Sequence, residues 1–167
     1  MKMQSIDDLL YTGMTYVLDF EQQISKEAGK MAQATTDPEV KEMFQKSVTQ
    51  GQKYAERLEA AFSKIGAKPD TNDNHLAKAM INEVENMISN TDPSAVRDAA
   101  LIVAFNQQQA YRVASYGSLS SYAKVLGKND AVSELQQSLD ESKQGDEKLT
   151  TIAETRINKQ AAQPVTA

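Results

Sequence analysis

The chain has 167 residues, of which 40% are hydrophobic and 25% are charged, and its composition excludes several classes of function. The net charge of -5 argues against a nucleic-acid-binding protein, which needs a basic face. There is no cysteine and one histidine, which excludes a thiolate metal site, a cysteine nucleophile and a multi-histidine metal site within one chain. Scarce glycine and few prolines are typical of an all-α protein.

Two long helices are predicted in the first part of the chain. The first runs from about Ile6 to Ala34, with Ser5 as its expected N-cap. Its apolar positions recur every three or four residues, and Glu21 interrupts them near the middle. Asp37 is the expected N-cap of the second helix, which begins at Pro38 and runs to about Ile65.

Three further helices follow in the sequence. A shorter one is predicted from about Asn74 to Ser89. The start signal Thr91-Asp92-Pro93 then opens the third long helix, which closes at Gly127. The last long helix spans about Asp130 to Lys159. The repeated Thr-Asp-Pro start suggests two related helical hairpins.

This order of elements predicts an all-α, ferritin-like four-helix bundle. It has four long helices plus one short helix in the crossover between long helices 2 and 3, and ferritin-like bundles have one such crossover with metal sites on facing helices. Residues 1–160 are expected to form a single domain, and 161–167 a disordered tail.

The third long helix carries the clearest apolar seam, and polar residues break it. Gln109 and Arg112 lie on the same three-and-four spacing as the apolar positions, so both are expected to point into the bundle. A buried arginine is costly unless it is paired and hydrogen-bonded. We therefore expect Arg112 to pair with Glu21, Asp146 or both, with Gln50 and Gln109 supplying the remaining hydrogen bonds.

Polar residues fall near the middle of all four long helices. Any one of them could lie at a solvated edge, but together they predict a shared buried polar layer. The residues of this polar layer are Glu21, Gln50, Gln109, Arg112, Ser142 and Asp146.

Over residues 6–154 the chain resembles the YciF/YciE family of ferritin-like bacterial stress proteins. The stretches that carry the resemblance are 92–102, 114–119, 56–59 and 139–143 followed by 146–149. The resemblance implies a bundle whose core holds a carboxylate-rich site of the di-iron type.

The resemblance also implies that most ligands of that site have been replaced in this chain. Glu21 matches the family's first-helix glutamate, whereas an amide, Gln50, stands at the second-helix carboxylate position. A Glu-x-x-Glu pattern has become Gln109 and Arg112, and the last-helix pattern retains Asp146 but has Ser142 in place of a glutamate. Since guanidinium does not deprotonate, Arg112 would place a permanent positive charge where the family has metal.

Three functional hypotheses follow. The first is a non-enzymatic, stress-associated protein whose ancestral di-iron site is replaced by a buried ion-pair and amide network, with no catalytic residue and no cofactor. The second is a di-iron or manganese oxidoreductase or iron-handling protein with a reduced ligand set. Its metal ligands would come from Glu21, Glu141, Asp146 and Glu147. The third is a helical bundle that binds a small molecule in its glutamine-lined interior.

Location and partners are predicted from simpler features. Residues 1–8 show no hydrophobic signal region, and no apolar run approaches membrane-spanning length, so we expect a cytoplasmic protein without a membrane partner. The family resemblance implies a homodimer. Gln107 and Gln108 lie off the seam, on a solvated face or in a subunit contact.

Overall fold

The computed structural model describes residues 3–70 and 72–163, and the described ranges contain helices and no strand. The helices are α1 (Ile6–Ala34), α2 (Pro38–Lys64), α3 (His75–Ser89), α4 (Ala95–Val125), α5 (Asn129–Ile152) and, after a π-helical turn at Ala153–Ile157, α6 (Asn158–Ala161). The predicted all-α class and the order of four long helices and one short helix are confirmed. Of the tail expected to be disordered, residues 164–167 lie outside the described ranges.

Two helical hairpins form the bundle. α1 packs along α2, and α4 packs along α5; across the bundle α1 faces α4 and α2 faces α5. The shorter α3 lies against α1 and α4, in the crossover between the hairpins. A Cβ atom at Gly51 would lie 2.8 Å from the Cβ atom of Ser25, so glycine permits the close crossing of α1 and α2.

The start of α4 differs from the prediction. Asp92 and Pro93 precede the helix, and Ser94 is its N-cap, with its side chain accepting from the backbone N–H of Arg97. The Arg97 side chain in turn donates to the backbone oxygens of Thr91 and Ile88. These contacts hold the turn after α3 and move the helix start to Ser94, so the second Thr-Asp-Pro is not a helix start.

The last long helix is interrupted by a feature that the sequence did not predict. At Ala153–Ile157 the backbone forms a π-helical turn, in which Asn158 donates to the carbonyl of Ala153. Ile157 is fully buried, and Arg156 on the same turn donates to Glu39 at 2.7 Å. The wider turn therefore places an apolar residue in the core and a cation at the start of α2.

Apolar side chains pack in separate clusters along the bundle. One contains Leu10, Met14, Tyr54, Leu58, Tyr116 and Leu135. Another contains Met31, Val40, Phe44, Leu101, Phe105 and Leu149. Glu21, Gln109, Arg112 and Ser142 are buried between these parts of α1, α4 and α5. Within the described residues, no helix is both long enough and apolar enough to cross a lipid bilayer.

Candidate functional site

A buried ion pair joins α1 to α4. Arg112 is 3% exposed and Glu21 is fully buried. The Nε atom of Arg112 donates to Glu21 Oε1 at 2.9 Å and Oε2 at 3.0 Å, and Nη2 donates to Oε2 at 2.7 Å. The predicted inward orientation of Arg112 and its pairing with Glu21 are thus present in the structure.

Residues one turn before and one turn after Arg112 on α4 add two hydrogen bonds to this ion pair. Gln109 accepts from Arg112 Nη1 at 2.9 Å, and the Tyr116 hydroxyl donates to Glu21 Oε1 at 3.1 Å. Gln109, Arg112 and Tyr116 lie on one helix face, as the seam predicted. The guanidinium also lies 5.4 Å from the ring centre of Phe20 and 5.3 Å from that of Tyr54, within the range of cation–π attraction.

The protonation states follow from this environment. Burial by itself lowers the pKa of Arg112, but the charge and hydrogen bonds of Glu21 outweigh it, so this pKa lies above its ordinary value. Burial raises the pKa of Tyr116 well above its ordinary value, and the charge of Glu21 raises it further. Arg112 is therefore cationic and Tyr116 is a neutral hydrogen-bond donor.

A second ion pair joins α2 to α5. Arg57 donates from Nη1 to Glu141 Oε2 at 2.6 Å and from Nη2 to Oε1 at 2.9 Å. Gln50 donates to Glu141 Oε2, and Gln137 donates to Oε1 at 3.3 Å. Burial by itself raises the pKa of Glu141, but the hydrogen bond and charge of Arg57 bring it below the ordinary value.

The prediction that Gln50 hydrogen-bonds Arg112 is wrong. Its amide lies on the face of α2 that points toward α5, and Glu141 offers it a charged acceptor there. The contribution of Arg57 was missed, although the sequence holds a signal for it. Gln50, Tyr54 and Arg57 are spaced by four and three residues and so share a helix face.

The two polar-layer residues of α5 have different environments. Ser142 is fully buried and donates to the Ser138 carbonyl at 2.8 Å. Asp146 is half-buried and makes no hydrogen bond or ion pair to any described residue. Of the two carboxylates expected to bind Arg112, therefore, Glu21 binds it and Asp146 does not.

The side chains present do not form a metal-ligand set. Within residues 3–70 and 72–163, no three histidine, cysteine, aspartate or glutamate side chains come together as metal ligands would. Of the four alternative ligands, Glu21 and Glu141 bind separate arginines, Glu147 is exposed and Asp146 is half-buried. A di-metal centre needs about four to six oxygen or nitrogen ligands from facing helices.

A cavity of about 240 Å³ opens between α2 and α5 and reaches the polar layer. We call it the α2–α5 cleft. Its lining residues are Met43, Lys46, Ser47, Gln50, Tyr54, Phe105, Gln109, Arg112, Glu141, Gln144, Gly145 and Lys148. Gly145 leaves room for the amide of Gln109, because a Cβ atom at this position would lie 2.5 Å from Gln109 Nε2.

Comparison with known proteins identifies relatives along almost the whole chain. The family model described as a domain of unknown function, DUF892, matches residues 5–162. Protein YciF of Escherichia coli is 30% identical over 162 residues, which cover 96% of this chain and 98% of YciF.

Solved structures of similar proteins also match most of the chain. The crystal structure of the E. coli stress protein YciF has a TM-score of 0.89 at 29% identity, covering 94% of this chain and 99% of that chain. YcfI from Rhodopseudomonas palustris has a TM-score of 0.85 at 31% identity, with 90% and 96% covered.

A more distant match concerns the fold alone. A two-domain protein from Anabaena variabilis, which contains DJ-1/ThiJ/PfpI-like and ferritin-like domains, has a TM-score of 0.61 at 18% identity. The match covers 98% of this chain and 42% of that one. By the extent of the family match and of its similarity to YciF, the chain belongs to the DUF892 family and is a YciF-like protein with a ferritin-like fold.

Proposed function

We propose that the protein is a non-enzymatic, stress-associated member of the YciF family whose ancestral di-iron site is replaced by a buried ion-pair and amide network. The observation that carries this proposal is the position of the Arg112 guanidinium, which lies in the polar layer bound to Glu21 and Gln109. The association with stress is supported by the similarity to YciF, which is named a stress protein.

Electrostatics explains why this arrangement disfavours metal. A guanidinium stays protonated throughout the accessible pH range. Two unit positive charges ~4 Å apart repel by about 4 kcal/mol at an effective dielectric constant near 20, and a divalent ion would be repelled more strongly. Glu21, the carboxylate that best matches a metal ligand, is already neutralised by Arg112 and hydrogen-bonded by Tyr116.

Iron chemistry tests the proposal directly. Adding ferrous iron to the purified protein under air should give no oxidation signal above a buffer control, and metal or chelator should leave the melting temperature unchanged. A resident metal site stabilises the native state by mass action, so it would raise the melting temperature on adding iron or manganese. Saturable, fast oxidation at about two irons per chain would support the alternative of a di-iron protein.

We also propose a cytoplasmic homodimer. From residue 99 to residue 123 the only charged side chain of α4 is Arg112, which is buried. The exposed ridge of α4 is therefore uncharged: Val103, Gln107, Ala110, Ala114 and Ser118. Gln108, in contrast, is buried and belongs to the core rather than to a subunit contact.

Charge and symmetry favour a second copy of this chain as the occupant of that ridge. Each chain carries a net charge of -5, so two copies repel each other across most of their surfaces. An uncharged ridge can meet its symmetry mate without like-charge contact, as a twofold interface requires. Small side chains along it permit close approach of the two helices.

Sedimentation measurements test the dimer. The parent should sediment as a dimer, and Ala114→Glu should shift it to a monomer because a charge would meet its own copy across the twofold axis. Thr49→Glu, which adds the same charge to an exposed position of α2, is the matched control and should remain dimeric. A monomeric parent, or an unaffected Ala114→Glu variant, would contradict this proposal.

A further inference from the structure

The floor of the α2–α5 cleft carries hydrogen-bond donors that the protein itself does not fully use. Arg112 has five N–H groups. Its hydrogen bonds to Glu21 and Gln109 use one on each nitrogen, which leaves one on Nη1 and one on Nη2. Gln109 accepts through Oε1, and its Nε2 group donates to no described residue. Unpaired donors at a mostly buried site favour a ligand that supplies acceptors.

Gly145 leaves space for the Gln109 amide at the wall of the cleft. The Nε2 atom of Gln109 lies against the bare backbone of Gly145, where any larger residue would collide with it. The amide therefore lies at the cavity wall, beside the guanidinium of Arg112.

The rim of the cleft is cationic, although the protein as a whole is acidic. Lys46 and Lys148 line the opening. Lys46 pairs with Glu42 at 2.5 Å, but both side chains are more than 60% exposed, so this pair is weak. Glu141 is the one carboxylate among the lining residues, and Arg57 neutralises it. With the ion-pair partners Glu21, Arg57 and Glu42 included, the charged groups at the cleft sum to +1, and Lys148 is the lining cation that forms no ion pair among the described residues.

The remaining wall is apolar. Met43, Phe105 and the ring of Tyr54 line the cavity, and its volume of about 240 Å³ suits a small molecule rather than a peptide. A ligand that fits this cleft has an anionic end with acceptor oxygens and a compact apolar body.

We propose that the α2–α5 cleft binds a small monocarboxylate with an aromatic or branched apolar body. Its carboxylate accepts from Gln109 Nε2 and from the free N–H groups of Arg112, and its body packs against Phe105, Tyr54 and Met43. Lys46 and Lys148 attract the anion and offset its repulsion from Glu21. The binding site rests on the proposed function, because it needs the Glu21–Arg112 pair in place of metal.

Benzoate is the probe, with benzamide and acetate as matched comparisons. Benzamide keeps the ring and removes the charge, and acetate keeps the charge and removes the ring. Calorimetric or NMR titration should give saturable benzoate binding with a dissociation constant of about 1 mM or tighter, and binding at least about tenfold weaker for each comparison compound. The side-chain amide signals of Gln109 and the guanidinium signal of Arg112 should shift with benzoate.

Two variants locate the site. Gly145→Ala pushes the Gln109 amide out of place and should weaken benzoate binding by about tenfold or more. Gly117→Ala is the matched control, since a Cβ atom there meets nothing within 4 Å, and it should bind like the parent. The exposed double change Lys46→Gln with Lys148→Gln should also weaken binding while leaving the fold intact, so the test does not depend on how Gly145→Ala folds.

Several results would overturn the proposal: no saturable benzoate binding at concentrations up to about ten times the expected dissociation constant, benzamide binding as tightly as benzoate, or unchanged binding in the lysine double variant. Metal content, measured on the same preparation, separates this failure from that of the proposed function. Metal-free protein that does not bind benzoate overturns the carboxylate site alone. Protein with stoichiometric iron or manganese overturns both.

Discussion

Two arginine–glutamate pairs join the hairpins of the bundle, Arg112 with Glu21 between α4 and α1, and Arg57 with Glu141 between α2 and α5. Both arginines bind their carboxylate through two nitrogens. The side chains of the first pair are 4% and 0% exposed, and those of the second are 14% and 30% exposed. Pairs of the same chemistry therefore differ in how far water can replace a lost partner.

The two glutamates differ in what remains to stabilise their charge when the arginine partner is removed. If Arg57 is lost, Glu141 keeps Gln50, Gln137 and contact with solvent. If Arg112 is lost, Glu21, which is fully buried in the folded protein, keeps the Tyr116 hydroxyl as its hydrogen-bond donor. The buried charges of Glu21 and Arg112 must therefore be present together or absent together, as the proposed replacement of the metal site requires.

Removing Arg112 should have the largest effect on stability. Arg112→Ala leaves Glu21 charged, buried and without a cation, and should lower the free energy of unfolding by about 3–5 kcal/mol. Urea denaturation followed by circular dichroism measures this loss. A variant that unfolds at the same urea concentration as the parent would show that the pair does not hold the polar layer.

The control for that experiment removes both charges. Combining Glu21→Leu with Arg112→Met fills similar volume with apolar atoms and should recover most of the loss, because desolvation consumes much of the attraction in a buried ion pair. A double variant as unstable as Arg112→Ala would mean that packing of the arginine, and not its charge, causes the effect.

Removing Arg57 should cost less. Arg57→Ala should lower the free energy of unfolding by about 1–2 kcal/mol, since Glu141 remains partly solvated and hydrogen-bonded. The same urea measurement applies. A cost equal to that of Arg112→Ala would remove the distinction between the two pairs.

The smallest expected effect is a pH dependence of stability that comes from the Arg57–Glu141 pair. The pKa of Glu141 is lowered in the folded state from an ordinary value of 4.5, so its contribution to stability is present above that pH and is lost as the pH falls through the lower, folded-state value. Glu141→Gln should therefore lose less stability than the parent on acidification below pH 4.5. Parallel stability curves for the two proteins would contradict this assignment.

The sequence predicted those features of the site that depend on helical periodicity. The seam of α4 placed Gln109 and Arg112 inside the bundle, and the need to neutralise a buried arginine led to Glu21 and Asp146 as its candidate partners. Periodicity within one helix could not decide how α2 and α5 are rotated toward each other. Because of that rotation, Gln50 hydrogen-bonds Glu141 and Asp146 does not bind Arg112.

Prediction of the helix boundaries from the sequence has the same limit. Helix order and the starts of α1 and α2 depend on local capping residues, which can be read from the sequence. The start of α4 depends on Arg97, which reaches back to Ile88 and Thr91, and on Ser94, which caps the helix after Asp92 and Pro93. The π-helical turn follows from packing of Ile157 and from the contact of Arg156 with α2, which are tertiary effects.

The most direct test of the central claim is the metal content of the protein purified from cells supplemented with iron and manganese. The parent should contain far less than one metal ion per chain, because Arg112 and Glu21 satisfy each other in the polar layer. The double variant Gln109→Glu with Arg112→Glu, which restores the carboxylates that the family resemblance implies, should take up iron or manganese under the same conditions. Stoichiometric metal in the parent would contradict the account.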